Sequence, residues 1–313
     1  CRFESGPGHQ LIMQNKNEIN NKEKSDFVRL YKLLWKEKTF IIVSTFLFAV
    51  LSVIFSLSLT EYYKSESILT IEDTDVSLSS QIPGLGALST FGIMSPQGDK
   101  SFEAIEMINS RDFLKHLLNF DGVMSSIMAS TKYDKDNGKL LFDEDLYDSE
   151  KDLWTEGEKP THLEVYEEYV DMVSASINSS GFISIKVEHI SPFFAQELLS
   201  LIIQETNELA REKEIKKANA TLAYLKNEIS SASLSAVNNS LSRLMEVHYN
   251  KLITARLNQD YLLVPLEKPF VPERKSKPNR PLICILGTIL GSLLTIFWVI
   301  LRDSIKRESD LFN

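Results

Sequence analysis

The sequence predicts an α+β membrane protein: two transmembrane helices flank one large domain with a small α/β base and a long, extended helical hairpin. Three observations carry this reading. Two uncharged apolar runs sit near the ends of the chain, strand patterns lie between them, and a long stretch keeps helical apolar periodicity. The first run is 39–59, TFIIVSTFLFAVLSVIFSLSL, and the second is 281–301, PLICILGTILGSLLTIFWVIL. Each has 21 residues and no Asp, Glu, Lys or Arg. At about 1.5 Å rise per residue each helix is ~31 Å long, close to the ~30 Å hydrocarbon core of a bilayer.

Charge around the first run orients it. Arg29, Lys32, Lys36 and Lys38 precede it, and only Lys64 follows closely. Positive charge stays in the cytoplasm, so 1–38 is expected inside, 60–280 outside and 302–313 inside again. Residues 1–12, before Met13, show no pattern and are read as a scar.

The large domain opens with YYKSESILTIE at 62–72, rich in β-branched residues and read as a strand. A small-residue segment, 77–98, reads as a loop. Its Gly84 and Gly86 lack the following helix and lysine of a phosphate-binding motif. A helix is expected over 101–118, with Phe102, Ile105, Ile108, Phe113 and Leu117 near one face. Residues 121–161 read as irregular, and a further helix covers 166–173. VSASI and FISIKVEHI then flank Asn178-Ser-Ser-Gly181, the pattern of a half-buried β-hairpin.

Ser191-Pro192 starts a helix, since serine caps free N–H groups and proline tolerates the first helical position. The helical pattern runs over 192–259. Ile215, Ala218, Leu222, Leu225 and Ile229 step by three and four, as do Leu234, Val237, Leu241, Leu244 and His248. This apolar seam suits coiled-coil-like packing between helices. One unbroken helix would be ~100 Å long, whereas the 21 residues left before Pro281 reach at most ~75 Å. A break near 230–235 resolves the mismatch, giving arms of ~60 Å and ~35 Å. The base is assigned to 60–190 and 260–272, with a last strand at 261–266. Pro265, Pro269, Pro272, Pro278 and Pro281 then keep 265–281 extended. Within the second run, Gly287 and Gly291 form a GxxxG that lets another helix approach closely, with Pro281 at the start of the span.

The composition excludes several classes of function. Residues 60–280 hold 35 Asp/Glu against 23 Lys/Arg, a net −12. That acidity argues against nucleic-acid binding. The two cysteines, Cys1 and Cys284, lie outside this domain, so no disulfide supports it. None of the five histidines has metal-ligand spacing to another His or to Cys, and no nucleophile motif or phosphate loop is present. No cofactor, metal or catalytic residue is assigned, and the chain reads as non-enzymatic. His189 and His248 read as structural.

Several segments in this order resemble the Wzz chain-length determinant family of polysaccharide co-polymerases. DFVRLYKLLWKEKTFI resembles the family's approach to its first span, and YYKSESILTIED its first strand. EMINSRDFLKHLL, with Ser110-Arg111, resembles its first helix. ETNELAREKEIKKANATLAYLKNEI carries Arg211, Glu212, Glu214 and Ile215 at the start of the long helix. KPFVPERKSKPNRPLICILGTILG resembles the proline-rich approach to the second span. The likeness covers 25–306. Pro265-Leu266-Glu267-Lys268 departs from the family's usual Ile-Asp-Pro-Ala run, which leaves the polymer open.

The resemblance implies the short form of the family, without a kinase domain, in the bacterial inner membrane with a periplasmic large domain. It implies a homo-oligomeric ring that works with a Wzy-type polymerase on a lipid-linked polysaccharide, O antigen before capsule or exopolysaccharide. Membrane lipids are a further partner, and nucleic acid is not. The alternative is a two-span receptor for a periplasmic ligand, without its own output domain.

Overall fold

The computed structural model describes residues 31–72, 96–231 and 235–311. It divides into two units, one of Cys1–Leu59 with Pro278–Asn313 and one of Thr60–Lys277. The mixed helix and sheet class read from the sequence is what the structure shows.

The larger unit is built on a five-stranded antiparallel sheet. β1 (Tyr62–Ile71) is its central strand, in the order β6-β7-β1-β8, and β9 also pairs with β1. Here β6 is Val173–Ile177, β7 is Ile183–His189, β8 is Leu263–Glu267 and β9 is Lys275–Lys277. β1 alternates strictly, so Tyr63, Ser65, Ser67, Leu69 and Ile71 share the buried face. The two serines on that face are not orphaned: Ser65 Oγ donates to the Phe270 carbonyl at 2.8 Å and Ser67 Oγ to the Glu267 carbonyl at 2.5 Å. The β6–β7 turn forms as its residues require. Asn178 Oδ1 accepts from the Ser180 and Phe182 amides at 2.9 and 3.0 Å, and Gly181 takes φ 84°.

Helices cover the sheet. α2 is Pro96–Ile108, α3 Arg111–Leu117, α4 Val123–Met128, α5 His162–Met172 and α6 Pro192–Ser231. The core joins Leu69, Ile183, Ile185 and Val187 of the sheet to Ile108, Phe113, Leu117, Tyr169, Leu198 and Ile202 of the helices. Tyr169 Oη, inside this core, donates to the Ile108 carbonyl at 3.0 Å. α5 starts on a capping box, with Thr161 and Glu164 satisfying each other's backbone amides.

Four local expectations change. The helix over 101–118 is two helices. Ser110 adopts an extended backbone, accepts the Phe113 amide at 3.1 Å and starts α3 as its cap. Residues 121–161 are ordered by α4 and two hairpins, β2 (Ser130–Asp134) with β3 (Lys139–Phe142) and β4 (Tyr147–Asp148) with β5 (Leu153–Trp154). The proline-rich return contains β9. The loop expected over 77–98 lies outside the described residues up to 95, and α2 already begins at Pro96.

Glu61 ties three parts of this unit. It accepts from Lys135 at 2.6 Å, in the β2–β3 turn, and from Lys275 at 2.9 Å, in β9. These two ammonium hydrogen bonds pull its carboxyl from 4.5 down to about 2. A carboxylate with a depressed folded pKa stabilises above its unfolded value and loses that contribution as pH falls from 4.5 towards about 2. Glu61→Gln is therefore expected to cost about 1 kcal/mol at pH 7 and nothing below pH 2, measured by urea unfolding at both pH values.

The smaller unit pairs α1 (Lys38–Ser58) with α8 (Arg280–Leu311). Both are long and apolar enough to cross a membrane, over 38–58 and 280–306. Most of their apolar side chains point outward, among them Phe46 and Phe297. Asn279 caps α8, and the helix continues ten residues past the apolar run, through Arg302 and Lys306.

Candidate functional site

The residues singled out by the sequence fall on two helix-packing seams, one in each unit. In the larger unit, α6 is 40 residues long and α7 (Ser235–Leu257) has 23, about 60 and 35 Å. The first half of α6 lies in the sheet core, through Ala195, Leu198, Leu199 and Ile202. Its second half packs on α7. Ala218 and Leu222 are buried against Leu252, with Ile215 and Met245 packed on them. Leu225 is also buried and Ile229 half-buried. The small Ala218 lets the two backbones approach, and Leu222 fills the space beside it.

The α7 side of this seam differs from the expected one. Leu244 is 38% exposed. The inward residues are Leu241, Met245, His248, Leu252 and Ala255, stepping by four and three. The contact runs a few residues later along α7 than leucine content alone suggests, because Met245 and Ala255 carry it. Leu234 and the Val237 side chain lie outside the described residues. On the outer side, Tyr249, Ile253 and Leu257 are 49, 50 and 75% exposed at four-residue spacing. They form an apolar stripe that nothing in the chain covers among the described residues.

In the smaller unit the glycines face the chain's own α1. A Cβ on Gly287 would stand 2.7 Å from Ser52 Cβ, and one on Gly291 would stand 2.9 Å from Phe48 Cδ2. Either separation is too short for a side chain. Above and below, polar groups close the contact: Ser52 Oγ donates to the Ile283 carbonyl at 3.1 Å, and Ser44 Oγ meets Thr295 Oγ1 at 2.9 Å. Pairs 52–287, 48–291 and 44–295 step by four in opposite directions, so the helices run antiparallel along one face. Small residues and interhelical hydrogen bonds are what holds helices together where apolar burial offers no gain. The Ser44, Phe48, Ser52, Ser56 spacing of α1 was the missed signal for its half of this face. Pro281 sits exposed in the first turn of α8, where its missing N–H leaves no bond unmade.

Among the described residues, no group of three or more His, Cys, Asp or Glu stands ready for a metal. His189, the last residue of β7, is buried. Its Nδ1 accepts the Ser191 amide at 3.1 Å, and Nε2–H donates to the Ser126 carbonyl at 3.0 Å, with Ser130 Oγ also at 3.1 Å. Burial pushes its pKa from 6.5 down to about 4, against the pull of the Ser126 carbonyl. It is a neutral structural bridge. His116 Nε2 meets the buried Glu205 Oε2 at 2.7 Å and joins α3 to α6.

Comparison with known proteins gives a family match over part of the chain. Residues 23–119 match the family model described as Wzz, chain length determinant protein. The resemblance to the Wzz family read from the sequence is borne out by this match. No curated protein matches the chain. Among solved structures, a full-length bacterial polysaccharide co-polymerase shares 14% identity over 88% of this chain and 97% of its own, with TM-score 0.39. A fragment of WzzB, a polysaccharide co-polymerase from Salmonella Typhimurium, shares 12% over 70% of this chain and 100% of its own, with TM-score 0.33.

Proposed function

We propose that the chain is a chain-length determinant of the Wzz type that sets the modal length of a lipid-linked polysaccharide, O antigen, together with a Wzy-type polymerase. The observation that carries this reading is the family match over 23–119, which runs through α1, β1 and α3. In this reading both spans lie in the inner membrane, both termini are cytoplasmic and the larger unit is periplasmic. The chain performs no chemistry of its own and works as a homo-oligomeric ring. The exposed stripe of Tyr249, Ile253 and Leu257 supports assembly, since an apolar helix face of this kind asks for cover from another copy.

Lipopolysaccharide from a strain with the gene deleted, then complemented, tests the function. Deletion is expected to turn a clustered ladder into a smooth decay of lengths, and complementation to restore the cluster. A ladder unchanged by deletion would overturn the O-antigen reading and move the measurement to capsule and exopolysaccharide sizes.

A further inference from the structure

A groove of about 660 Å³ runs between one side of α6 and the chain that leaves α7 and enters β8. All of it belongs to the larger unit. Gln196, Ser200, Gln204, Glu208 and Arg211 line it at steps of four and three, so they share one face of α6. Gln259 and Asp260, just after α7, and Pro265 and Lys268, in and after β8, form the other wall. The volume falls within the ~300–1,000 Å³ of ligand pockets, but these walls are polar where such pockets are mostly apolar.

The lining excludes two kinds of ligand. Charge cancels, with the acids Glu208 and Asp260 matched by the bases Arg211 and Lys268, so no net field selects an ion. An extended peptide would add to the outer edge of β8, and that edge is taken. Asn207 Oδ1 accepts the Leu262 and Leu263 amides at 2.8 and 2.7 Å, and its Nδ2 donates to the Leu263 carbonyl at 2.9 Å. Pro265, further along the strand, has no N–H to offer. What remains are groups that both donate and accept: the Gln196, Gln204 and Gln259 amides and the Ser200 hydroxyl. Gln204 and Gln259 are exposed, and Gln204 makes one long hydrogen bond, 3.4 Å, to Glu205. Arg211 adds an unmet demand. Glu208 holds its Nη2, while its buried Nε has no hydrogen-bond partner. That is a costly condition, which an acceptor oxygen brought by a ligand relieves. An uncharged molecule rich in hydroxyls matches this surface, since each hydroxyl also donates and accepts.

We propose that this amide-lined groove binds an uncharged, hydroxyl-rich stretch of saccharide. That the saccharide is the polymer whose length is set rests on the chain-length reading; the groove and its preference for hydroxyls stand on the geometry alone. An open groove holds a passing stretch of polymer rather than enclosing its end. Because neutral hydrogen bonds carry the contact, it is insensitive to salt.

The test uses the full chain in detergent and isothermal titration, at low and high salt, with two probes from the same strain. One is the O polysaccharide freed from lipopolysaccharide by mild acid, and the other is the capsular polysaccharide. The double variant Gln204→Ala/Gln259→Ala removes an amide from each wall, and Ser200→Trp fills the groove. Thermal unfolding of each variant checks that the fold is kept. Saturable binding of at least one probe is expected, equal at both salt concentrations. It should weaken roughly tenfold in the double alanine variant, the weight of one or two hydrogen bonds, and be lost in Ser200→Trp. Weakening in either folded variant supports the groove. No saturable binding of either probe, binding lost at high salt, or binding unchanged in both variants would overturn the proposal. Groove-dependent binding by a protein whose deletion leaves every polysaccharide length unchanged would keep the saccharide site and remove the chain-length reading. A ladder that collapses on deletion while the groove binds neither probe would do the reverse, so the two failures are distinguishable.

Discussion

Replacing Gly291 by leucine is expected to force α1 and α8 apart. The hydrogen on Gly291 faces the Cβ and ring of Phe48, and a side chain there has nowhere to go without moving a helix backbone. Overpacking of this kind costs about 2 kcal/mol, roughly thirty-fold in the equilibrium between the packed and parted pair. The nearby Ser44–Thr295 contact reports on it, since the two hydroxyls stand 2.9 Å apart. In a Cys1→Ala/Cys284→Ala background, Ser44→Cys with Thr295→Cys should cross-link readily, and far less when Gly291→Leu is added. Equal cross-linking in both would mean that the glycine face does not hold the two helices together. The larger unit should keep its unfolding midpoint in either case, because its core contains none of these residues.

His189→Ala should produce a large loss of stability in the larger unit. The ring satisfies the buried Ser126 carbonyl and the Ser191 amide, and packs edge-on against Phe194 at 4.6 Å between centroids. Removing it leaves two backbone groups without partners and a space beside Phe194, together about 3 kcal/mol. The pH dependence is a separate signature. The folded pKa, about 4, lies below the ordinary 6.5, so the unfolded chain binds one more proton between those values. Stability therefore falls as pH drops from 6.5 to about 4, by up to about 1.4 kcal/mol per pH unit. Protonation also places a second N–H against the Ser191 amide, donor facing donor. Urea unfolding of the full chain by near-ultraviolet circular dichroism, at pH 7 and pH 4.5, measures both effects. A variant whose midpoint keeps the wild-type pH slope would show that His189 is not the titrating group.

The elements legible from residue pattern are those with sustained periodicity and long apolar faces. β1, the β6–β7 hairpin, the packing of α6 on α7 and both apolar helices follow from alternation, from the Asn178–Gly181 turn, or from seam spacing, while the break expected near 230–235 falls on 232–234, outside the described residues. The elements that escaped are short, or are decided by partners far away in sequence. β4 and β5 have two residues each and sit in an acidic run, where no period can register. β9, Lys-Ser-Lys, has no strand character of its own and forms because Tyr62 and Tyr63 offer it an edge. The split at Ser110 shows a cap overriding a continuous apolar face. Of the two seams, the α6 half was readable because alanine and leucine recur on it. The α1 half of the other was hidden because its contact residues are serines in a run that is apolar all round.

The central place of β1 also dictates an order of events. β1 is among the first parts of its unit to be synthesised, yet its neighbours come much later. Ser65 waits for Phe270, 205 residues on, and the Tyr62 carbonyl waits for the Ser276 hydroxyl, 214 residues on. Until nearly the whole unit has emerged, the β1 edge that pairs with β8 and β9 stays open. The sheet can close only after the last strand before α8 is delivered, so folding is post-synthetic, with long-range pairing that is intrinsically slow. A growing chain in this condition is a natural client for whatever shields unpaired strands, and its yield should depend on that protection more than on the final stability of the fold.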